Sequence, residues 1–190
     1  WTVDPIDGTK NYIGGNDSFC SMIALLHFGK VIASWIFIPT SAICYFADKY
    51  GVQVRYPDSL YQPVETSKSH IKHIQVDHLS FSASLKYLNS ELKEKVKRKL
   101  TVIKKRVFIG SVGIEATLLA NAKIDFIFYS ATSPWDHAPV DMFNRACGGK
   151  TGQVNITNNT SIDLDLSKKL PILFVRSLDL WDEVTKFILR

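Results

Sequence analysis

Apolar and polar residues follow two different rhythms along this chain. Residues 19–27 and 30–38 are apolar runs of strand length, broken at Phe28-Gly29, which predicts a β-hairpin. Residues 42–48 and 52–55 continue it, with Gly51 in the turn, so the first part reads as an antiparallel sheet. Residues 57–69 are polar, contain Pro57 and Pro63, and mark a connection. Beyond it the pattern alternates. Strands are predicted at 74–76, 102–108, 125–129 and 170–175. Helices are predicted at 82–100, 111–121, 140–147 and 180–189. In the first of these, Leu85, Leu88, Leu92 and Val96 share one face. Gly148-Gly149 stops the third helix, and 151–167, with Asn158-Asn159, reads as a loop-rich excursion. The fold class expected is α+β followed by α/β, divided at residues 1–62 and 63–190.

A chain of 190 residues, 46% hydrophobic, can bury one sizeable core or two small ones. The net charge is +5. Its basic residues gather between Lys93 and Arg106, where Glu91 and Glu94 interrupt the run. That stretch reads as a solvated helix face with a mild pull on anionic substrates. A nucleic-acid patch is the less favoured reading. No stretch approaches the ~18 uncharged apolar residues of a membrane span. Cys20, Cys44 and Cys147 lack metal-like spacing and read as reduced thiols in a cytoplasmic setting. His70, His73 and His78 form no ligand pattern with a cysteine.

Candidate chemistry sits at the start, in Trp1-Thr2-Val3-Asp4-Pro5-Ile6-Asp7-Gly8-Thr9-Lys10-Asn11-Tyr12. Asp4 and Asp7 can address one point if the backbone turns sharply between them, and Pro5 favours that turn. Two carboxylates with the Ile6 carbonyl suit Mg²⁺, which prefers oxygen. Gly8 allows close backbone approach to a ligand. Thr9 opens a helix whose first amides are anion donors. Lys10 reads equally as a substrate contact or a solvated side chain.

This run resembles the signature of the inositol monophosphatase family, within the Mg²⁺-dependent sugar-phosphate phosphatases. Ser133-Pro134-Trp135-Asp136-His137-Ala138-Pro139 is similar to the family's Trp-Asp-x-Ala block, and Gly110-Ser111-Val112-Gly113 to its Gly-Ser helix. The resemblance implies a layered αβαβα sandwich and hydrolysis of a small phosphorylated metabolite by a metal-activated water. It implies Asp4, Asp7 and Asp136 as side-chain metal ligands, Ile6 as a carbonyl ligand and Mg²⁺ as cofactor. Gly8 and Thr9 then cradle phosphate, and Thr9 orients the water beside Asp4 and Asp7. Ser111 reads either as substrate-pocket lining or as a helix N-cap. His137 reads as structural, Trp135 as a packing anchor and Asp125 as a strand start. A homodimer is carried over weakly, and a membrane partner is not expected.

Three departures stand beside the resemblance. The family carries a Glu pair upstream of the Asp-Pro motif, and this chain begins after it. The chain therefore reads as the C-terminal part of a longer protein, with one face of its antiparallel sheet left open and apolar. Inositol-specific members place a Glu where this chain has Tyr129. The helix after the Trp-Asp block carries Val140 and ends Ala146-Cys147-Gly148-Gly149. The runner-up reading is a catalytically impaired relative that binds a phosphorylated ligand or a partner.

Overall fold

The computed structural model describes residues 1–64, 74–131 and 133–190. His70 and His73 lie outside them. The first sheet is an antiparallel meander of β1 (Thr2–Asp7), β2 (Cys20–His27), β3 (Lys30–Ile38), β4 (Ile43–Asp48), β5 (Gly51–Arg55) and β6 (Gln62–Pro63), paired in chain order. A five-residue helix, α1 (Thr9–Ile13), interrupts it after β1. The expected hairpin is there. The expected polar connection contains the short edge strand β6, and its residues 65–69 lie outside the described ones.

The second sheet contains β7 (Ser80–Ser84), β8 (Lys105–Arg106), β9 (Phe126–Tyr129), β10 (Lys150–Asn155), β11 (Thr160–Asp163) and β12 (Ile172–Val175). Their order across the sheet is β11-β10-β12-β9-β7-β8. β7 pairs with β8 and β9 in parallel, and the remaining pairs are antiparallel. The helices are α2 (Ser90–Leu100), α3 (Val112–Ala120), α4 (Pro134–Ala146) and α5 (Leu178–Leu189).

Alternation along the central strands explains the layers. Ile127, Ile172 and Phe174 face one cluster, with Met22 and Ile36 of the first sheet and with α3 and α4. Phe126, Phe128, Leu173 and Val175 face the other, against α2 and α5. A sheet buried on both faces reads as unbroken apolar runs. Each large side chain buried this way stabilises the fold by about 1.5–3 kcal/mol. The described residues thus form four layers: sheet, helices, sheet, helices. This is the expected sandwich, with the outer face of the first sheet bare among the described residues. That face carries Val3, Ile23, Trp35 and Phe46, and Trp1 stacks on Trp35 at 6.0 Å.

Five expected elements differ, the simplest being the strand expected at 102–108, which shrinks to the two residues of β8. Residues 82–84 are strand, not helix, because Ser80-Phe81-Ser82-Ala83-Ser84 alternates with period two; the helix begins later, where the Asn89 side chain accepts from Leu92 N–H at 2.9 Å. Residues 74–76 are not a strand, and a 3₁₀ turn occupies Val76–His78. The loop-rich excursion is the hairpin β10–β11, which hydropathy hides because buried Gln153 is satisfied by the Lys168 carbonyl and the Asp165 N–H. Finally α4 begins at Pro134, not Val140, since Ser133 and Asp136 form a capping box there. Pro139 is therefore inside the helix, where its missing N–H removes one backbone bond.

Candidate active site

Side chains of a regular strand alternate, so residues three apart point to opposite faces. Asp4 and Asp7 escape this rule. Asp4 pairs with Met22 and Asp7 with Cys20, so three steps along β1 match two along β2. The extra residue is a β-bulge, and it turns both aspartates to the inner face. Pro5 lies in the bulge, where no N–H is needed for the ladder. Ser21 Oγ donates to the Pro5 carbonyl at 2.7 Å, and Ile6 N–H donates to Asp4 Oδ1 at 3.0 Å. Both bonds hold the irregular backbone.

Asp136 arrives from elsewhere in the chain. As the third residue of α4, it accepts from Ser133 N–H at 2.9 Å. One carboxylate oxygen of each of Asp4, Asp7 and Asp136 lies within 4.8 Å of the others. Three carboxylates this close repel one another unless a proton or a cation intervenes. Burial, together with the Asp4 and Asp7 carboxylates, pushes the Asp136 carboxyl up to about 7 against the pull of Ser133 N–H. Burial likewise raises Asp7, opposed by the hydrogen bonds it accepts. An all-oxygen, like-charged donor set fits a hard divalent cation.

Asp7 is held from α3. Ser111 Oγ donates to its Oδ2 at 2.6 Å and Gly113 N–H at 2.8 Å. Ser111 has no exposed surface, and its hydroxyl also caps α3 at Ile114 N–H, 3.4 Å away. The structure therefore directs Ser111 at Asp7 and not into a solvent-facing pocket. A Cβ at position 113 would meet Met22 Sδ at 2.7 Å, so only glycine lets α3 approach β2 this closely. The Cys20 Sγ lies 3.5 Å from Asp7 Oδ2. Burial and the Asp7 charge hold its thiol well above the usual range, so it serves as a neutral donor and not as a thiolate ligand.

Gly8 has φ of +85°, a left-handed conformation that redirects the chain from β1 into α1. The first helical bond is Asn11 N–H to the Gly8 carbonyl, so the amides of Thr9 and Lys10 precede it. Thr9 Oγ1 donates to the Ile6 carbonyl at 2.9 Å, joining the phosphate-loop candidates to the carbonyl candidate.

Sequence reading missed Glu115, a fully buried carboxylate on the largely apolar α3. It accepts from Ile109 N–H (2.8 Å), Gly110 N–H (3.0 Å) and Tyr129 O–H (2.8 Å). It thereby fixes the backbone leading into Ser111. An acid in an apolar helix pattern was the available signal. His137 is buried, and burial lowers its imidazole to about 4, so it stays neutral. Trp135 is half-exposed and does not anchor the core. Asp125 does more than begin a strand: it pairs with Arg176 at 2.7 Å and accepts from Ser80 N–H at 2.7 Å.

The model of the inositol monophosphatase family matches residues 1–171. The chain is 29% identical over 150 residues to a histidinol-phosphatase of Mycobacterium tuberculosis, covering 79% of this chain and 57% of that protein. It is 28% identical over 151 residues to a probable inositol 1-monophosphatase, ImpA, of the same organism, covering 78% and 55%. The chain thus spans about half the length of these relatives. An inositol monophosphatase from Zymomonas mobilis shares the fold with a TM-score of 0.80 at 18% identity, over 99% of this chain and 69% of that one.

Proposed function

This chain belongs to the inositol monophosphatase family, and from that premise we propose that the protein hydrolyses the phosphate monoester of a small metabolite, with Mg²⁺ at the three-carboxylate cluster. The observation that carries the reading is the bulge that brings Asp4 and Asp7 to one face, within 4.8 Å of Asp136. Phosphate-monoester hydrolysis is among the slowest uncatalysed reactions, so strong charge stabilisation is required. Bound Mg²⁺ supplies it by lowering the pKa of a coordinated water and neutralising the leaving oxygen.

The chain's own residues do the rest. Asp4, Asp7 and Asp136 hold the cation, with the Ile6 carbonyl as a further ligand. Ser111 and Gly113 fix the Asp7 rotamer. Gly8 and Thr9 offer amides to the phosphate, and the Thr9 hydroxyl orients the attacking water. The substrate class proposed spans polyol, amino-alcohol and nucleotide phosphates; of these, the relatives named above carry the names of a polyol and an amino-alcohol phosphatase. Tyr129, bonded to buried Glu115, presents no carboxylate of its own to sugar hydroxyls. The three cysteines are free and buried, which supports a reducing, cytoplasmic setting. No helix among the described residues is long and apolar enough to cross a membrane.

The test is phosphate release from inositol 1-phosphate, histidinol phosphate and 3′-phosphoadenosine 5′-phosphate. Turnover of at least one, dependent on Mg²⁺ and lost on chelation and in Asp4→Asn, is expected. Undiminished turnover in Asp4→Asn sinks the assigned site.

A further inference from the structure

A second concavity lies where α2 crosses the β7–β8 edge of the second sheet. None of the three clustered aspartates lines it. Its volume is about 540 Å³, inside the range of small-molecule sites. Its floor is apolar: Phe81, Ala83, Leu85, Leu100 and Ile103, with Phe108 at one side. Its charged lining residues are Lys86, Lys93, Lys97 and Arg106, and no acidic residue lines it.

Sequence alone made the basic run a solvated helix face. The fold changes that reading. Lys93 and Lys97 lie one turn apart on α2, while Lys86 follows β7 and Arg106 belongs to β8. Cations from three segments thus converge on one cavity over a low-dielectric floor. A cleft lined by one sign of charge concentrates the field and draws counter-charge. The ion pair of Lys97 with Glu94, at 3.5 Å, is exposed at both ends and offsets little of that charge. Arg106 is pre-oriented. One of its terminal nitrogens donates to the Ala83 carbonyl at 3.2 Å, and its guanidinium lies 5.4 Å from the centroid of the half-exposed Phe108 ring. A guanidinium has five N–H donors, so others are left for a ligand. The Phe108 ring gives a flat apolar surface beside that charge.

We propose that this cavity binds a small organic anion: a flat apolar body seated on the floor, with its phosphate, sulfonate or carboxylate group held by Arg106 and the lysines. This site is separate from the carboxylate cluster and does not depend on the phosphatase reading.

The probe is 2-naphthalenesulfonate, titrated into isotope-labelled protein without divalent metal and followed by amide chemical shifts. Saturable shifts confined to α2, β7 and β8 are expected. The uncharged analogue 2-naphthalenemethanol should bind at least about tenfold more weakly. Lys93→Gln with Lys97→Gln should weaken the sulfonate at least about tenfold and leave the alcohol unchanged. Arg106→Gln should do the same; if it fails to fold, the exposed lysine pair decides alone. Equal binding of the two probes, shifts elsewhere, or an unaffected lysine double variant overturns the proposal. So does a single-stranded oligonucleotide that shifts α2 where the naphthalene probe does not, which makes the surface a nucleic-acid patch.

Discussion

Replacing Asp136 with Asn should stabilise the metal-free protein at pH 8 while removing its response to Mg²⁺. In the fold the Asp136 carboxyl is pushed from 3.8 to about 7 by burial and by its neighbours. A folded-state pKa above the unfolded one means that the fold binds the proton more tightly. The resulting stability is complete below about pH 4 and is lost as pH rises through about 7. At about 1.4 kcal/mol per tenfold change in proton affinity, that shift sets a ceiling of about 4 kcal/mol. Asp136 is only half-buried, and solvent screening brings the expected effect to about 2 kcal/mol. The amide oxygen of Asn can still accept from Ser133 N–H, so the cap survives. Urea unfolding of both proteins at pH 4 and pH 8, with chelator, measures the difference. With a slope of about 2 kcal/mol per molar urea, the variant's midpoint should lie about 1 M higher at pH 8 and coincide with wild type near pH 4. Mg²⁺ at a hundred times its dissociation constant should add about 2.7 kcal/mol to wild type and nothing to the variant, reversing their order. A less stable variant at pH 8 without metal, or equal pH slopes, would refute the claim that these carboxylates repel in the folded state.

Ser111→Ala should cost about 2–3 kcal/mol, because it removes a hydrogen bond to a buried carboxylate and the cap of α3; a thermal midpoint within 2 °C of wild type would contradict this, since about 1 kcal/mol moves a chain of this size by ~2–4 °C. Gly113→Ala should destabilise by at least about 2 kcal/mol through collision with Cys20 and Met22 on β2, read from denaturant midpoints. Tyr129→Glu should set a second carboxylate against Glu115 and lower stability by about 2 kcal/mol or more at pH 8. Most of that loss should return in Tyr129→Glu with Glu115→Gln.

Some of the fold was legible because local rules and global packing agreed. The Phe28-Gly29 break, the apolar runs around it and the α3 and α5 patterns all survive in the structure within a few residues. Other elements were misread where burial departed from hydropathy. Strand β10 carries buried Thr151 and Gln153, whose polar groups are satisfied only by residues folded over them. Strand β7 hid inside a helix pattern because two of its serines, Ser80 and Ser82, are buried in the sheet. Glu115 escaped notice for a related reason: its hydrogen-bond partners lie on either side of it in sequence and converge only in the fold.

What the sequence determined by itself was the set of chemical groups: two aspartates around a proline, a third beside Trp135, and the glycines between. The family resemblance followed from those groups alone. Whether the aspartates share a site was not theirs to decide. Two residues three apart on a strand face opposite ways unless the partner strand imposes a different count. The pairing of Asp4 with Met22 and Asp7 with Cys20 exists only once β2 is in place. Asp136 joins them only because α4 packs between the sheets with its N-terminus at that bulge, 129 residues beyond Asp7. Local propensity sets backbone direction over a few residues; like charges are brought within 4.8 Å only by the burial of the apolar layers on either side.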